Sequence, residues 1–457
     1  KMASSQSRTR IISQSKAVYV SNTGLIGDLS AGIKANSGVK PPQLHRVDTF
    51  SFDIDIAGGR QDIREFGQLA RIGTITLGDL NPSFSLGYYL GDGENEFNLG
   101  FQTNGITDAS SLKSQFISGI LAEAPNKREK NLYVLTSAEG KDAFSTDGSN
   151  AGMTNAQRLD TGNKGLLFGS FIDNPTGTYT ATEMASQDVV SFGNCNFESY
   201  TVNFAVGEIP RVDIEGTAEN ITFDTANSGI YNPALNKAGG RADTGQLMLG
   251  TPSTGNMDVL VLRPEDVTLS FSDGDFTFGG TDLTDMHVQS ASIEVPLSRT
   301  PIEALGSAKA VAKPLDFPIN VTMSVSALLK NISAGQIDKI LTGNAGNETT
   351  NITLKVKGED GSEKHRYILQ KATLDNQSFS VGLDDNETID LTFSTQIGGD
   401  NQVDQGFFYS GACTAGGVVN LPENYSTSFG GKNYPQGFYY QKNNDKGVYS
   451  SDDGAGS

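Results

Sequence analysis

The sequence of 457 residues contains no Trp, only 2 Cys and only 3 His. Each scarcity removes a class of chemistry. Cys195 and Cys413 form no CxxC pair and no cluster with His, so neither a zinc site nor a disulfide framework is indicated; whether the two pair with each other stays open. His45, His287 and His365 lie far apart, none in an HxxxH spacing, and read as surface or satisfied core residues. GxGxxG, GxxxxGK[ST] and GxSxG are all missing. The run SDGDF from Ser272 lacks the ligand spacing of a calcium loop, and a hairpin turn explains it. Adjacent acids such as Asp384-Asp385 and Asp452-Asp453 fall in predicted turns or tails. The expectation is a protein that is not an enzyme and takes no cofactor or metal. No run reaches the ~18 apolar residues of a membrane span, and the first residues are polar and basic, so neither a membrane anchor nor a signal peptide is expected.

Positive charge is also scarce. Lys and Arg number 34 against 53 Asp and Glu, a net charge of −19 with the acids spread along the chain. A nucleic-acid binder needs cations to displace counterions from phosphate, so the charge argues against gripping DNA or RNA. It does not exclude a protein that lets DNA pass without holding it, and a solvated acidic surface that keeps the chain soluble is the plainer reading.

What the sequence does contain is a repeat. GRQDIREFG ends at Gly67 and SRTPIEALG at Gly306, each with Arg, then Ile three residues on, then an apolar residue and Gly. The offset of 239 extends ungapped: Ile54-Asp55-Ile56 falls on Ile293-Glu294-Val295, Asn81 on Asn320 and Ser85 on Ser324. A second block starting at Asn196 matches one starting at Thr373, an offset of 177, with Val212 on Ile389 and Ile214 on Leu391. The smaller offset places extra residues in the first unit, around 145–190, where the sequence reads as loop.

Within each unit strands dominate. Asp48–Ile56 alternates, with Phe50, Phe52, Ile54 and Ile56 opposite Thr49, Ser51, Asp53 and Asp55. Phe84, Leu86 and Tyr88 alternate with Ser83, Ser85 and Gly87; Val321, Met323 and Val325 alternate with Asn320, Thr322, Ser324 and Ser326. Such strands belong to antiparallel sheets with one wet face. Long connections follow, 57–80 and 296–317, far longer than the two to five residues of an ordinary hairpin loop. Helices are predicted from Asp108 (Leu112, Phe116, Ile117, Ile120, Leu121) and over 333–343 (Ile337, Ile340, Leu341). Asp273-Gly274 predicts a hairpin turn. The fold class expected is mainly β: two tandem β-sandwich or barrel units, each with a flanking helix and a long inter-strand loop, plus a C-terminal extension. The boundaries are 1–225, 226–400 and 401–457.

This architecture resembles the tail tube proteins of long-tailed bacteriophages, in the variety whose subunit fuses two tube domains. The resemblance spans roughly 15–400 and rests on pattern rather than on a signature motif. It implies inner sheets joined edge to edge in a closed six-domain barrel, hence stacked trimeric rings with pseudo-sixfold symmetry. It implies a virion tail location after synthesis in the host cytoplasm. The implied partners are other copies of the chain, tape measure, terminator and baseplate components, and viral DNA passing through unbound. The polar faces would then line the bore: Ser51, Asp53, Asp55, Ser83 and Ser85, with Ser290, Ser292, Glu294, Asn320, Thr322, Ser324 and Ser326. The long loops would hold rings together through Arg60, Asp62, Ile63, Arg64, Phe66 and Arg71, and through Arg299, Ile302, Leu305, Lys309 and Lys313. The alternative is a virion surface module, a decoration protein or adhesin, that recognises a host glycan through its C-terminal extension.

Overall fold

The computed structural model describes residues 16–23, 43–45, 47–55, 60–76, 81–91, 93–104, 115–122, 129–137, 187–225, 230–235, 240, 246–247, 262, 267–271, 287–305, 309–328, 349–358, 361–380, 388–398 and 404–411, with three residue pairs nearer the C-terminus. The first unit contains β1 (Lys16–Asn22), β2 (Gln43–His45), β3 (Thr49–Asp53), β4 (Arg60–Ile63), β5 (Gly73–Thr76), β6 (Ser83–Tyr89), α1 (Glu94–Leu99), α2 (Ser118–Ala122), β7 (Lys130–Ser137), β8 (Gln187–Ala205), β9 (Arg211–Thr217) and β10 (Asn220–Thr225). A short pair, β11 (Ile230–Tyr231) and β12 (Gln246–Leu247), precedes the second unit. That unit contains β13 (Val267–Phe271), β14 (His287–Pro296), β15 (Ile319–Leu328), β16 (Thr349–Lys357), β17 (Glu363–Ser380), β18 (Thr388–Ile397) and β19 (Gly406–Gly411).

One long antiparallel sheet runs β3-β6-β9-β8-β14-β15-β18-β17. Four strands come from each unit in the same order, and β8 of the first pairs directly with β14 of the second. Two shorter sheets lie beside it: β2-β1-β7-β8-β10, and β13-β16-β17-β19. The strands β8 and β17 belong to both sheets of their unit. Their alternating apolar side chains meet those of the long sheet in one core; Phe192 of β8, for instance, packs edge-on to Phe52 and tilted against Phe50 and Phe84.

A strand that changes sheets needs a bend. Each long strand has a left-handed, non-glycine residue at the changeover, Asn194 (φ 54) in β8 and Lys371 (φ 49) in β17, again 177 apart. Each is held by an Asn on the neighbouring strand. The Asn194 N–H donates to Asn131 Oδ1 at 3.3 Å, and the Lys371 N–H to Asn351 Oδ1 at 2.9 Å. The bulges repeat too: the ladder slips between Phe197 and Ser199 in one unit and between Leu374 and Asn376 in the other.

Strand register confirms both offsets. Leu86 faces Ile214 as Val325 faces Leu391, so β6 answers to β15 by 239 and β9 to β18 by 177. The first strand departs from expectation. Phe50 faces Leu86 where Ala291 faces Val325, so Phe52-Asp53-Ile54, not Ile54-Asp55-Ile56, is equivalent to Ile293-Glu294-Val295. A slip of two keeps every side chain on its face, so alternation cannot detect it.

Other expectations are corrected. Among the described residues no barrel closes: β3 and the second half of β17 are edges of an open sheet. Of the helix expected from Asp108, Ser118–Ala122 is helical and 105–114 lie outside the described residues; α1 was not foreseen. Residues 406–411, assigned to the C-terminal extension, form β19, with Phe407, Phe408 and Tyr409 fully buried. The sequence there, GFFYSG, is apolar on both faces and shows no alternation to read. Cys195 is a free, buried thiol. The segment around 145–190 up to residue 186, the helix over 333–343, the Asp273-Gly274 turn and most of the extension lie outside the described residues.

Candidate functional site: a polar sheet face, two hairpins and a joint

The first feature is the polar face of the long sheet. Register gathers the candidate residues into rows. Ser51 lies opposite Ser85, with a 2.7 Å hydroxyl bond between them, and Asp53 lies opposite Ser83. In the second unit Glu294 faces Thr322, Ser292 faces Ser324 and Ser290 faces Ser326. Asn320 continues the face opposite Gln396, and Asp55 lies just past the end of β3. The rows cross the joint: Asp213, Thr201, Glu294, Thr322, Ser394 and Thr373 stand side by side on six successive strands.

Sequence reading missed the contributions of β8, β9 and β18, among them Thr201, Asn203, Asp213, Glu215, Asp390 and Thr392. The second repeat block contains them, but only its apolar positions were compared. It also missed Arg211, the one Arg or Lys in the segments that pair within this sheet, β17 counting from Thr373. Its guanidinium is neutralised in place, bonding Asp213 at 3.0 Å and Asp48 at 2.9 Å, with Thr49 Oγ1 accepting at 2.6 Å. A Cβ at position 87 would strike Arg211, Asp213 and Thr49, so Gly87 leaves the space this cluster occupies. With Asp53, Glu215, Glu294 and Asp390 also on it, the face is acidic.

The second feature is the pair of long connections. Both are hairpins of one register. Arg60 pairs with Thr76 and Ile63 with Gly73; isolated bridges join Arg299 to Leu315 and Ile302 to Ala312, each partner 239 positions on. The first hairpin carries a fully exposed Phe66 and Leu69 at its tip, where Gly67 adopts φ 104, with Ile63 and Ile72 also exposed. Arg71 and Arg64 reach Asp62 at 3.1 and 3.8 Å on the surface. The second hairpin exposes Ile302 and Leu305, but its cations turn inward onto the first unit. Arg299 Nη1 donates to Lys313 O at 2.8 Å and Nε to Phe197 O at 3.5 Å; Lys309 Nζ donates to Glu219 O at 2.8 Å; Lys313 Nζ pairs with the Glu219 carboxylate at 3.2 Å, mostly buried.

The third feature is the joint between units. Tyr367 donates to Tyr200 (2.9 Å), Tyr200 to Glu96 (3.3 Å), and Tyr88 to the same Glu96 oxygen (2.9 Å), all buried. Burial pushes all three phenols well above their ordinary pKa, so they remain neutral donors. Phe116 stacks on Phe101 at 4.3 Å and meets Phe407 and Tyr409. The first unit also caps the free edge of β19: the Phe116 N–H donates to Phe407 O and the Asn104 N–H to Tyr409 O, both at 3.0 Å. His365 is buried here. Its Nε2–H donates to Gly91 O, which leaves Nδ1 to accept from Tyr409 Oη at 2.6 Å, and burial lowers its pKa to about 4.

Among the described residues there is no cluster of His, Cys, Asp and Glu that could hold a metal, and no helix long and apolar enough to cross a membrane. The arrangement is that of a mainly-β chain with antiparallel sheets whose end strands, among the described residues, are open.

No family model and no curated protein matches the chain. Among solved structures it is similar to the SPP1 tail tube (16% identity, 38% of this chain and 91% of that chain, TM-score 0.24). It is also similar to a chain of the anti-feeding prophage baseplate (13%, 32% and 93%, TM-score 0.22) and to one of the tail of an empty GTA particle (11%, 30% and 93%, TM-score 0.19).

Proposed function

We propose that this chain is a structural subunit of a phage tail, made in the host cytoplasm, that assembles into stacked rings around a bore through which viral DNA passes. One observation carries the reading. The joint β8–β14 is an edge-to-edge pairing between the end of one four-strand set and the start of the next. The strands left free at the ends of the long sheet, β3 and β17, are the equivalents of β14 and β8. A chain with such edges is self-complementary head to tail, and a head-to-tail interface makes a ring if its rotation closes. Two units per chain give six per ring from three copies. Closure would also remove the two exposed strand edges, which otherwise invite aggregation.

In this reading the two units divide near residue 225, and the polar face lines the bore. Duplex DNA carries one negative charge per ~1.7 Å of axis, so an acidic wall with its one arginine neutralised repels DNA enough to let it slide. The exposed apolar tips, Phe66 and Leu69 in one hairpin and Ile302 and Leu305 in the other, are patches of the kind that mark protein contacts. They would meet the neighbouring ring, while tape measure, terminator and baseplate components bind at the tube's ends. Electron microscopy of the purified chain is the test. End-on views of hollow rings with three copies support it; a chain that stays monomeric at every concentration overturns it.

A further inference from the structure

Tyr88, Glu96, Tyr200 and Tyr367 form one buried hydrogen-bonded chain at the joint, and a buried histidine stands at each end of it. His45 of β2 lies edge-on to Tyr88 with ring centroids 5.0 Å apart, and His365 of β17 lies parallel to Tyr367 at 6.2 Å. The two rings are held differently. Among the described residues neither nitrogen of His45 has a hydrogen-bond partner, whereas His365 uses both. Its Nε2–H reaches Gly91 O of the first unit, and its Nδ1 accepts from Tyr409 Oη of β19. His365 is therefore a tie between the units, and His45 belongs to the first unit alone.

The tie depends on the charge of the ring. Nδ1 accepts from Tyr409 only while it carries no proton. A proton placed there sets two donors face to face, and the Tyr409 hydroxyl has little room to turn, because it fills the space that a Cβ at position 93 would need. The charge would also be dry. Tyr367 and Tyr409 face the ring, and Glu96 stands beyond Tyr200. Val356 of β16, between Lys355 and Lys357, and Gly411 of β19 lie opposite His365. Along β17 the charged neighbours are Glu363, Lys364 and Arg366, and Glu363 is taken up by Arg366. No carboxylate among the described residues bonds the imidazole. Burial, partly offset by the bond to Gly91, lowers its pKa to about 4.

Water is nevertheless close. His365 is the third residue of β17 and faces Gly411, the last residue of β19, so the ring sits at the end of its sheet. The other backbone bonds across this contact, from Asn104 to Tyr409 O and from Phe116 to Phe407 O, lie further along β19. The β8–β14 ladder belongs to the long sheet and shares none of these bonds. We propose that His365 is an acid-released catch: neutral, it ties Gly91 to the end of β19, and protonated, it lets the start of the α1 segment and the end of β19 part while the long sheet stays paired. Protonation of His45 has a different effect, because it loosens only β2, an edge strand of the first unit. The catch lies within one chain and stands whether or not rings form.

Amide hydrogen exchange of the full-length chain tests it, read by mass spectrometry at about pH 6.5 and about pH 5 and corrected for the intrinsic rate. Peptides over 93–104 and 406–411 are expected to lose protection roughly tenfold across that interval, because one proton enters only the opened state. Peptides over 199–205 and 290–296, from the β8–β14 ladder, should change by less than about threefold. His365→Gln keeps a donor for Gly91 O and an acceptor for Tyr409 but takes no proton, so it should remove the acid response of the first two peptides; His45→Gln should leave it intact. Protection in wild type that holds to pH 5, an equal loss in all four peptides, or an undiminished loss in His365→Gln overturns the catch. Should His365→Gln fold poorly, NMR titration of the wild-type histidine rings decides, with His365 assigned by replacing His45 and His287 in turn. The His365 signal should keep its neutral-ring shift until the two peptides open; a ring that titrates near its ordinary pKa with protection intact overturns the proposal.

Discussion

The joint inside the chain and the open face at its start are two versions of one design. Where the polypeptide continues, the core is closed by aromatic rings, a buried tyrosine–glutamate chain and a capped edge strand. In the first unit, equivalent positions carry half-buried Val190 for Tyr367, half-buried Ile221 for Phe407, exposed Phe223 for Tyr409 and exposed Phe52 for Ile293. The difference teaches that covalent linkage sets the composition of the joint. The inner joint is never exposed in the folded chain, so it tolerates large aromatics and a buried carboxylate. The outer face, that of the first unit, meets water and carries smaller apolar residues at 190 and 221, while Phe52 and Phe223 stand exposed.

The largest effect should separate the two. Truncating Tyr367 to Ala removes a fully buried ring and leaves the Tyr200–Glu96 pair without its neighbour; a loss of about 3–5 kcal/mol is expected, from transfer and cavity terms together. Val190→Ala, at the equivalent half-buried position, should cost about 1 kcal/mol or less in the monomer. Urea unfolding of the two variants decides it, and equal losses would mean that the outer face is already packed. Glu96→Ala comes next. It leaves the Tyr88 and Tyr200 hydroxyls without their acceptor in a dry site, which costs about 1–3 kcal/mol for each group stranded.

Acid sharpens the comparison further. His365 at the joint has its pKa lowered to about 4 by burial, and His45 of β2, edge-on to Tyr88, has its own lowered to about 3 for the same reason. Both stay neutral in the folded chain while the unfolded chain takes up protons near pH 6.5. Stability is therefore full above that pH and falls as the pH drops towards 4, by up to about 1.4 kcal/mol per pH unit for each histidine. His365→Gln should flatten this slope by up to half. In the first unit the equivalent position is the exposed Asp188, so the acid sensitivity of the inner joint has no counterpart on the outer face. A slope identical in wild type and variant would remove His365 from the account.

A smaller effect is expected at the strand bends. Asn351→Ala deprives the Lys371 N–H of its acceptor and should cost about 1 kcal/mol. Asn131→Ala should cost more, because Asn131 Nδ2 also donates to buried Asn232 at 2.8 Å. These asparagines show where sequence reading stopped. Alternation revealed β6 and β15 and their polar faces, because one buried face per strand writes itself with period two, and the repeat pointed to β14. It could not place β3 to better than two residues, since an even slip preserves the pattern. It passed over β19, buried on both faces, and the Asn131 and Asn351 contacts, because a hydrogen bond between strands distant in sequence leaves no local spacing. The hairpin repeat was legible in Arg60 and Arg299, but the inward turn of Arg299, Lys309 and Lys313 depends on Glu219 and Phe197 of the other unit. That contact exists only once the long sheet is assembled.

The smallest effect on stability belongs to the polar face, and there the two units should behave alike. Asp53 and Glu294 are equivalent and exposed, Glu294 in the middle of its row and Asp53 at the end of its own, on the edge strand β3. Replacing either by Lys should change monomer stability by about 0.5 kcal/mol or less, as for most surface substitutions. The functional effect should be larger than the stability effect. Three copies would add three cations to one level of the bore. Each cation that meets a phosphate adds about 0.9 to the dependence of log K on log salt. Assembled rings bearing Glu294→Lys should therefore retain short duplex DNA at low salt and release it as salt rises, whereas wild-type rings retain none. Asp53→Lys should do the same if the β3 edge sits in the ring as β14 sits in the chain. DNA retention by Glu294→Lys but not by Asp53→Lys would place β3 away from the bore, and the equivalence of the two joints would fail at the strand on which ring closure depends.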